Sequence, residues 1–176
     1  MIHPRAQVDA DCEVGEGSRI WQFASVVRGA QIGQSVTVAS CAIVDAAIVG
    51  EGSIIGHGAS VHPGAVLGAG VFVGPGAVLC NDAWPRAHKD GWTLPKRPTV
   101  IVEDGASICA GAIILPGVHV GRDAMVGAGV VCGNDVPEGM LMLPNQVCVP
   151  IGDEHRKQRM RVAGERVRAS SYQVKA

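Results

Sequence analysis

Aromatic residues are almost missing from this chain: Phe, Trp and Tyr make up 3% of its 176 residues. An interior of this size therefore has to be filled by Val, Ile, Leu and Ala, which suits a thin, regular core better than a thick globular one. The length suffices for one domain with its own core. Excess charge of one sign is also lacking. The formal net charge of −1 excludes the broad basic field of a nucleic-acid-binding protein. No apolar run approaches the ~20 residues of a membrane span. The six cysteines, at 12, 41, 80, 109, 132 and 148, form neither a CxxC nor a zinc-ribbon spacing. With no signal peptide in view, such scattered cysteines lead us to expect a reducing, cytoplasmic setting.

What the chain has instead is glycine, aliphatic residues and a six-residue period. Leads fall at Ile2, Val8, Val14, Ile20, Val26, Ile32, Val38 and Val44. After a five-residue step they continue at Val49, Ile55, Val61, Leu67, Val73 and Leu79. They resume at Val102, Ile108, Ile114, Val120, Val126 and Cys132, so nineteen of twenty leads are aliphatic. Four residues after each lead the side chain is small or apolar, as at Ala24, Ala59, Ala77, Ala106 and Ala124. Side chains alternate across a strand, so this residue and the next lead point the same way, inward. The remaining positions, rich in Gly, Asp and Asn, suit corners. Each hexad thus reads as one short strand plus one turn of a parallel solenoid.

Residues five after each lead point outward. They are polar early (Gln7, Glu13, Arg19, Ser25, Gln31) and apolar later (Ile43, Ile54, Val66, Phe72, Val78, Ile113, Met125, Val131). An exposed apolar row wants a partner, which predicts a homo-oligomer packed along that face. Residues 80–101, CNDAWPRAHKDGWTLPKRPTVI, interrupt the period and hold Trp84 and Trp92 with Arg86, His88, Lys89, Lys96 and Arg97. Insertions of this length in a regular repeat are usually functional. Beyond a solenoid over 1–150, residues 151–176 form the remainder of the chain, and within them 153–171 shift to a helical pattern, with Met160, Ala163 and Val167 on one side. We expect a helical cap over the open end, the alternative being that its basic residues help hold a phosphorylated ligand.

This repeat resembles the hexapeptide-repeat family, and the resemblance implies a left-handed parallel β-helix, three hexads per coil, typically trimeric. Within that family the chain is similar to acetyl-CoA-dependent N-acyltransferases acting on nucleotide-linked amino sugars. The motifs that carry the likeness are RIWQFASV (Arg19–Val26), VFVGPGAVLCND (Val71–Asp82), NDAWPR (Asn81–Arg86), RPT (Arg97–Thr99) and the run Gly105–Val131. The resemblance implies a homotrimer with sites between subunits and a role in surface (lipopolysaccharide) polysaccharide assembly. It places Asn81 beside the reacting amine. Trp21, Asp82, Trp84, Arg86 and Arg97 would hold the acceptor, helped by Lys89 and Trp92. The last coils, with Ala110, Gly111, Gly127, Ala128 and Gly129, would form one wall of the acyl-CoA groove. Two departures stand out. The family's histidine in W-x-F-x-H is Ser25, and its aromatic-Asp-Gly reads His62-Pro63-Gly64.

The segment IIGHGASVHPGA, residues 54–65, holds two histidines, His57 and His62. An imidazole titrates near neutrality and suits removal of a proton from an ammonium nucleophile. His62, whose HPGA also resembles the histidine segment of serine acetyltransferases, is the preferred base, with His57 as the second candidate. Transfer without a side-chain base, the thiolate taking the proton, is a further possibility. A rival reading from the same residues is a γ-carbonic-anhydrase-like zinc site on His57 and His62. It lacks the third histidine upstream and the aspartate at Ala30. A non-catalytic scaffold is the remaining alternative. No resident metal is expected.

Overall fold

The computed structural model describes residues 1–87 and 93–152. The helical cap expected from 153 onward, and His88, Lys89 and Trp92, lie outside the described residues. The described chain winds into about seven coils of very short strands, assembled into three parallel sheets of seven, six and eight strands. The first sheet stacks Gln7–Val8, Ser25–Val27, Ile43–Asp45, Ser60–Val61, Val78–Leu79, Ile113–Ile114 and Val131–Cys132. The second runs from Glu13–Val14 to His119–Val120, and the third from Arg19–Ile20 to Met140–Met142. An antiparallel strand, Cys148–Pro150, closes the third sheet against Met140–Met142. Successive strands visit the three faces in turn, so the molecule is a three-sided parallel solenoid that matches a left-handed β-helix.

The period explains the register. Val61 sits between Val44 and Leu79, and Val73 between Ile55 and Ile108. From Ile20 onward the leads are almost fully buried, as are the alanines four residues on, such as Ala24, Ala59, Ala77, Ala112 and Ala124. Each buried Val, Ile or Leu contributes roughly 1.5–3 kcal/mol, and together they leave no room for an aromatic layer. The five-residue step is absorbed at Ala46, whose φ of 44° turns the chain one residue early. Coils approach so closely that a Cβ on Gly74 would come within 2.5 Å of the Ala110 nitrogen.

Two expectations change. The outward apolar residues do not form one face. Three hexads make a coil, so Ile43, Val78, Ile113 and Val131 fall on the first face, Val66 on the second, and Ile54, Phe72 and Met125 on the third. The insertion also ends sooner than residue 101. Val100–Val102 is a strand paired with Ala65–Leu67, with Val100 and Val102 both buried. The inserted loop is therefore 80–99, leaving the first face after Leu79 and rejoining the second at Val100.

Two buried hydroxyls clip neighbouring coils together. Ser18 Oγ donates to the Gly33 carbonyl (2.8 Å) and accepts from the Val36 amide (2.9 Å). Ser53 Oγ repeats this with Gly68 and Val71, both at 3.0 Å. Ser53→Ala would leave the buried Val71 amide without an acceptor, a loss of about 1–3 kcal/mol. Urea unfolding of this variant is expected to show a lowered midpoint with an unchanged slope.

Candidate functional site

The three corners of the prism differ in chemistry. The corner between the first and second faces carries the insertion. His62 directly follows the first-face strand Ser60–Val61, and Asn81 follows Val78–Leu79 one coil later. Both side chains are half-buried. The returning leg of the loop is tied to the turn after His62. Thr99 Oγ1 donates to the Pro63 carbonyl at 3.0 Å, and the Thr99 amide to the Gly64 carbonyl at 2.9 Å. Pro95 and Thr99 crowd Gly64 so closely that a Cβ there would meet them at 3.0–3.1 Å. At the loop's start Asp82 Oδ1 accepts the Trp84 amide at 3.0 Å, a local turn that aims the chain outward. Trp84 is 81% exposed, and Arg86 and Arg97 are exposed. The structure thus brings His62, Asn81, Asp82, Trp84, Arg86 and Arg97 to one corner.

Among the described residues no carboxylate is hydrogen-bonded to His62. Asp45, its counterpart one coil earlier, is held by Arg28, whose Nε donates to Oδ1 at 2.5 Å and whose Nη2 donates to Oδ2. That pairing raises the guanidinium pKa further. Cys80 follows Leu79 on the coil above His62, and burial pushes its thiol up. It stays a neutral thiol and a poor nucleophile.

The corner between the third and first faces collects the other predicted residues. His57, Ala110, Gly111, Gly127, Ala128 and Gly129 all lie here, as does Trp21. His57 and His62 sit at opposite ends of Ser60–Val61, on two different corners, so they do not form one site within a subunit. From Trp21 onward this corner contains no Asp, Glu, Lys or Arg between its strands, Arg5 lying at its first turn. Cβ atoms added at Gly58, Gly76, Gly111 or Gly129 would meet nothing within 4 Å. It is an open, uncharged strip. The amides of Gly111 and Gly129 are spent on the carbonyls of Pro75 and Ala110, and that of Gly127 on Met142. Those of Ala110 and Ala128 have no acceptor among the described residues. Gly127 is a packing position rather than a donor, since the Met142 oxygen lies 3.1 Å from where its Cβ would be.

The corner between the second and third faces is acidic. It bears Glu16, Glu51, Glu103, Asp104, Asp123 and Glu138 against Arg122. Two of its turn amides are capped by carboxylates: Ala69 donates to Asp104 Oδ1 and Arg122 to Glu103 Oε2, both at 2.9 Å. The Ala69 amide, then Arg122, hold the Asp104 carboxyl below its ordinary range. A shallow depression of about 380 Å³ lies on this corner, lined by Gln34, Ser35, Glu51, Gly52, Ala69 and Gly70. It holds none of the predicted site residues, and its Glu51 carboxylate repels phosphates. The signal that separates the corners, glutamates recurring on one and acidic residues missing from the open one, appears once every third turn is read together.

Among the described residues no group of three or more His, Cys, Asp and Glu is placed to hold a metal ion. No described helix is long and apolar enough to cross a membrane.

Comparison with known proteins bears on the same residues. The bacterial transferase hexapeptide family, six repeats, matches residues 46–81. A 2,3,4,5-tetrahydropyridine-2,6-dicarboxylate N-acetyltransferase of Staphylococcus aureus is 46% identical over 48 residues, 27% of this chain and 20% of that protein. A histidine-to-alanine variant of GDP-perosamine N-acetyltransferase from Caulobacter crescentus, solved with CoA and GDP-perosamine, is 25% identical with a TM-score of 0.56. The match covers 86% of this chain and 56% of that one. AntD, an N-acyltransferase from Bacillus cereus solved with dTDP-4-amino-4,6-dideoxyglucose and coenzyme A, shares the fold at 18% identity and a TM-score of 0.65, over 86% of this chain and 90% of that one. The chain therefore spans about half the length of the Caulobacter neighbour and a fifth of the curated relative. These acetyltransferase likenesses overturn the carbonic-anhydrase alternative, which the separation of His57 from His62 also opposes. The recurring hexads and the three-faced parallel solenoid give the chain a fold that matches a left-handed β-helix, and its residues 46–81 match the bacterial transferase hexapeptide family.

Proposed function

We propose that the protein is an acyl-CoA-dependent N-acyltransferase that acetylates the amino group of a nucleotide-linked amino sugar, of the kind used in surface polysaccharide assembly. The observation that carries this reading is the open corner. An uncharged strip with uncapped Ala110 and Ala128 amides suits a pantetheine chain and a thioester carbonyl, whose oxygen gains negative charge as the amine attacks. The acidic corner offers the opposite, a column of carboxylates that would face and repel phosphates. The Caulobacter neighbour, solved with CoA and a nucleotide-linked sugar, supports the same pairing of ligands.

In this reading the amine nitrogen attacks the thioester carbon and the C–S bond breaks. His62 takes one proton from the ammonium group to free the attacking amine, and the second proton, lost from nitrogen as the amide forms, goes to the departing sulfur, which leaves as a thiol. Asn81 orients the amine through its carboxamide. Arg86 and Arg97 are positioned to meet a diphosphate, and Trp84 offers an aromatic face. The neutral Cys80 favours direct transfer over an acyl-cysteine intermediate.

His62 with Asn81 and the amides with His57 lie on two corners of one subunit, with the first face between them. A complete site therefore needs a second copy. We infer a homotrimer whose first faces turn toward the threefold axis. Only that face is bounded by both corners, so only that arrangement brings the open corner of one subunit to the loop corner of the next. Its outward column, Gln7, Ser25, Ile43, Ser60, Val78, Ile113 and Val131, carries no charge.

Incubation with acetyl-CoA and a panel of nucleotide-linked amino sugars should give a product heavier by one acetyl group in mass spectrometry. No product from any member would reject the reading. His62→Ala should lower the transfer rate ~10²-fold or more, and a near-normal rate across pH would remove His62 as base. Ala128→Trp, filling the strip at an exposed position, should raise KM for acetyl-CoA at least about tenfold, ~1.4 kcal/mol of binding, with an unchanged melting temperature. Val78→Arg should yield monomers by light scattering, whereas Ile48→Arg on the second face should leave the assembly intact.

A further inference from the structure

Phe23 occupies a position that the repeat gives to glycine in four of its other five described coils, the exception being the small Cys41. At the open corner the register-equivalent residues are Phe23, Cys41, Gly58, Gly76, Gly111 and Gly129, with φ of 60°, 62°, 62°, 66°, 66° and 67°. From Cys41 onward each sends its amide to the preceding coil in the same way, Cys41 to Gln22, Gly58 to Ser40, Gly76 to His57, Gly111 to Pro75 and Gly129 to Ala110. Phe23 does so to the Arg5 carbonyl at 2.9 Å. The left-handed region is unfavourable for a bulky side chain. Yet here, in a chain with six aromatic residues, a phenyl ring is placed in it and left 57% exposed. Trp21, two residues before, is 38% exposed on the same corner. The Arg5 guanidinium carbon lies 5.9 Å from the Phe23 ring centroid. Such strain persists where it serves a site.

We propose that Phe23, with Trp21 and Arg5, forms the platform on which the planar base of the acceptor's nucleotide stacks. This rests on the acyltransferase reading above. The ring lies two coils from Gly58, beside His57, and three from Gly76. At the ~4.8 Å spacing of paired strands these are separations of about 10 and 14 Å. That leaves room for a sugar and diphosphate between the base and the reacting amine. The Ala110 and Ala128 amides lie further along in the opposite direction, so base and CoA occupy opposite ends of one strip. Stacking on a ring face tolerates different bases, so the platform selects a nucleotide without choosing which.

The test compares Phe23→Gly, which restores the repeat's own residue, with Phe23→Tyr, which keeps a ring. Phe23→Gly should melt at or above the wild-type temperature and raise KM for the nucleotide-linked acceptor about tenfold, with KM for acetyl-CoA unchanged. Phe23→Tyr should behave as wild type. Independently of turnover, UDP, GDP and dTDP should quench tryptophan fluorescence in the wild type, with Kd at least about fivefold weaker in Phe23→Gly. Unchanged nucleotide binding and acceptor KM in Phe23→Gly would overturn the platform even with acyl transfer intact. A weakened response to CoA alone would overturn it too, assigning the ring to the cofactor's adenine. Absence of turnover in the wild type would reject the acyltransferase reading, while the diphosphate titration still decides the platform.

Discussion

Everything in this structure depends on the contact between one coil and the next. A strand of two or three residues has no stability of its own. Here each is held above and below by parallel backbone hydrogen bonds and inside by an aliphatic lead against the leads of adjacent coils, as Val61 is between Val44 and Leu79. The coil is so thin that its interior accepts only Val, Ile, Leu, Ala and an occasional Cys or Ser. Close stacking then demands glycine where Gly74 passes Ala110. The scarcity of aromatic residues is thus a consequence of the architecture. Among the described residues those that occur stand outside the core, Trp21 and Phe23 at a corner, Phe72 outward on a strand and Trp84 in the insertion.

The same constraint creates long, one-dimensional surfaces. Each corner is a column in which equivalent residues recur every coil, so a single kind of substitution repeated along it changes the character of a whole edge. One edge accumulates carboxylates that cap their own turn amides. Another has no Asp, Glu, Lys or Arg beyond its first turn, and small residues with partnerless amides at Ala110 and Ala128 toward its far end, among the described residues. The third is interrupted by a loop pinned back onto the turn after His62. A reaction that must hold a long thioester and a charged nucleotide finds the last two edges suitable and the first unsuitable. The proposed shared site follows from those two edges bordering the same face.

Much of the fold was legible in the sequence because its period is short and its core positions are monotonous: the leads and the small residues four later are buried as expected. The corner assignments were less legible. A period of six does not reveal that every third hexad shares a face, so the outward apolar residues read as one row when they lie on three. For the same reason His57 and His62, five apart, read as neighbours although a strand separates them. The end of the insertion was misplaced because Ile101, read as loop, is an ordinary outward strand residue between buried Val100 and Val102. Of the five residues expected to wall the acyl-CoA groove, Gly111, Gly127 and Gly129 have their amides committed to Pro75, Met142 and Ala110, pairings between coils that spacing does not disclose. The proximity of Pro95 and Thr99 to the His62 turn is likewise a property of the folded loop alone.

The central claim is that each complete site joins the loop corner of one subunit to the open corner of another, and subunit mixing tests it directly. Assayed at acetyl-CoA well below KM, His62→Ala and Ala128→Trp homo-oligomers should each keep about a tenth of the wild-type rate or less. Unfolded together and refolded as mixed trimers, they should regain about one intact site in three, because one interface per mixed trimer pairs an unaltered loop corner with an unaltered open corner. Mixed trimers, verified by native mass spectrometry, that recover no acetyl transfer above that of the separate variants would contradict the account.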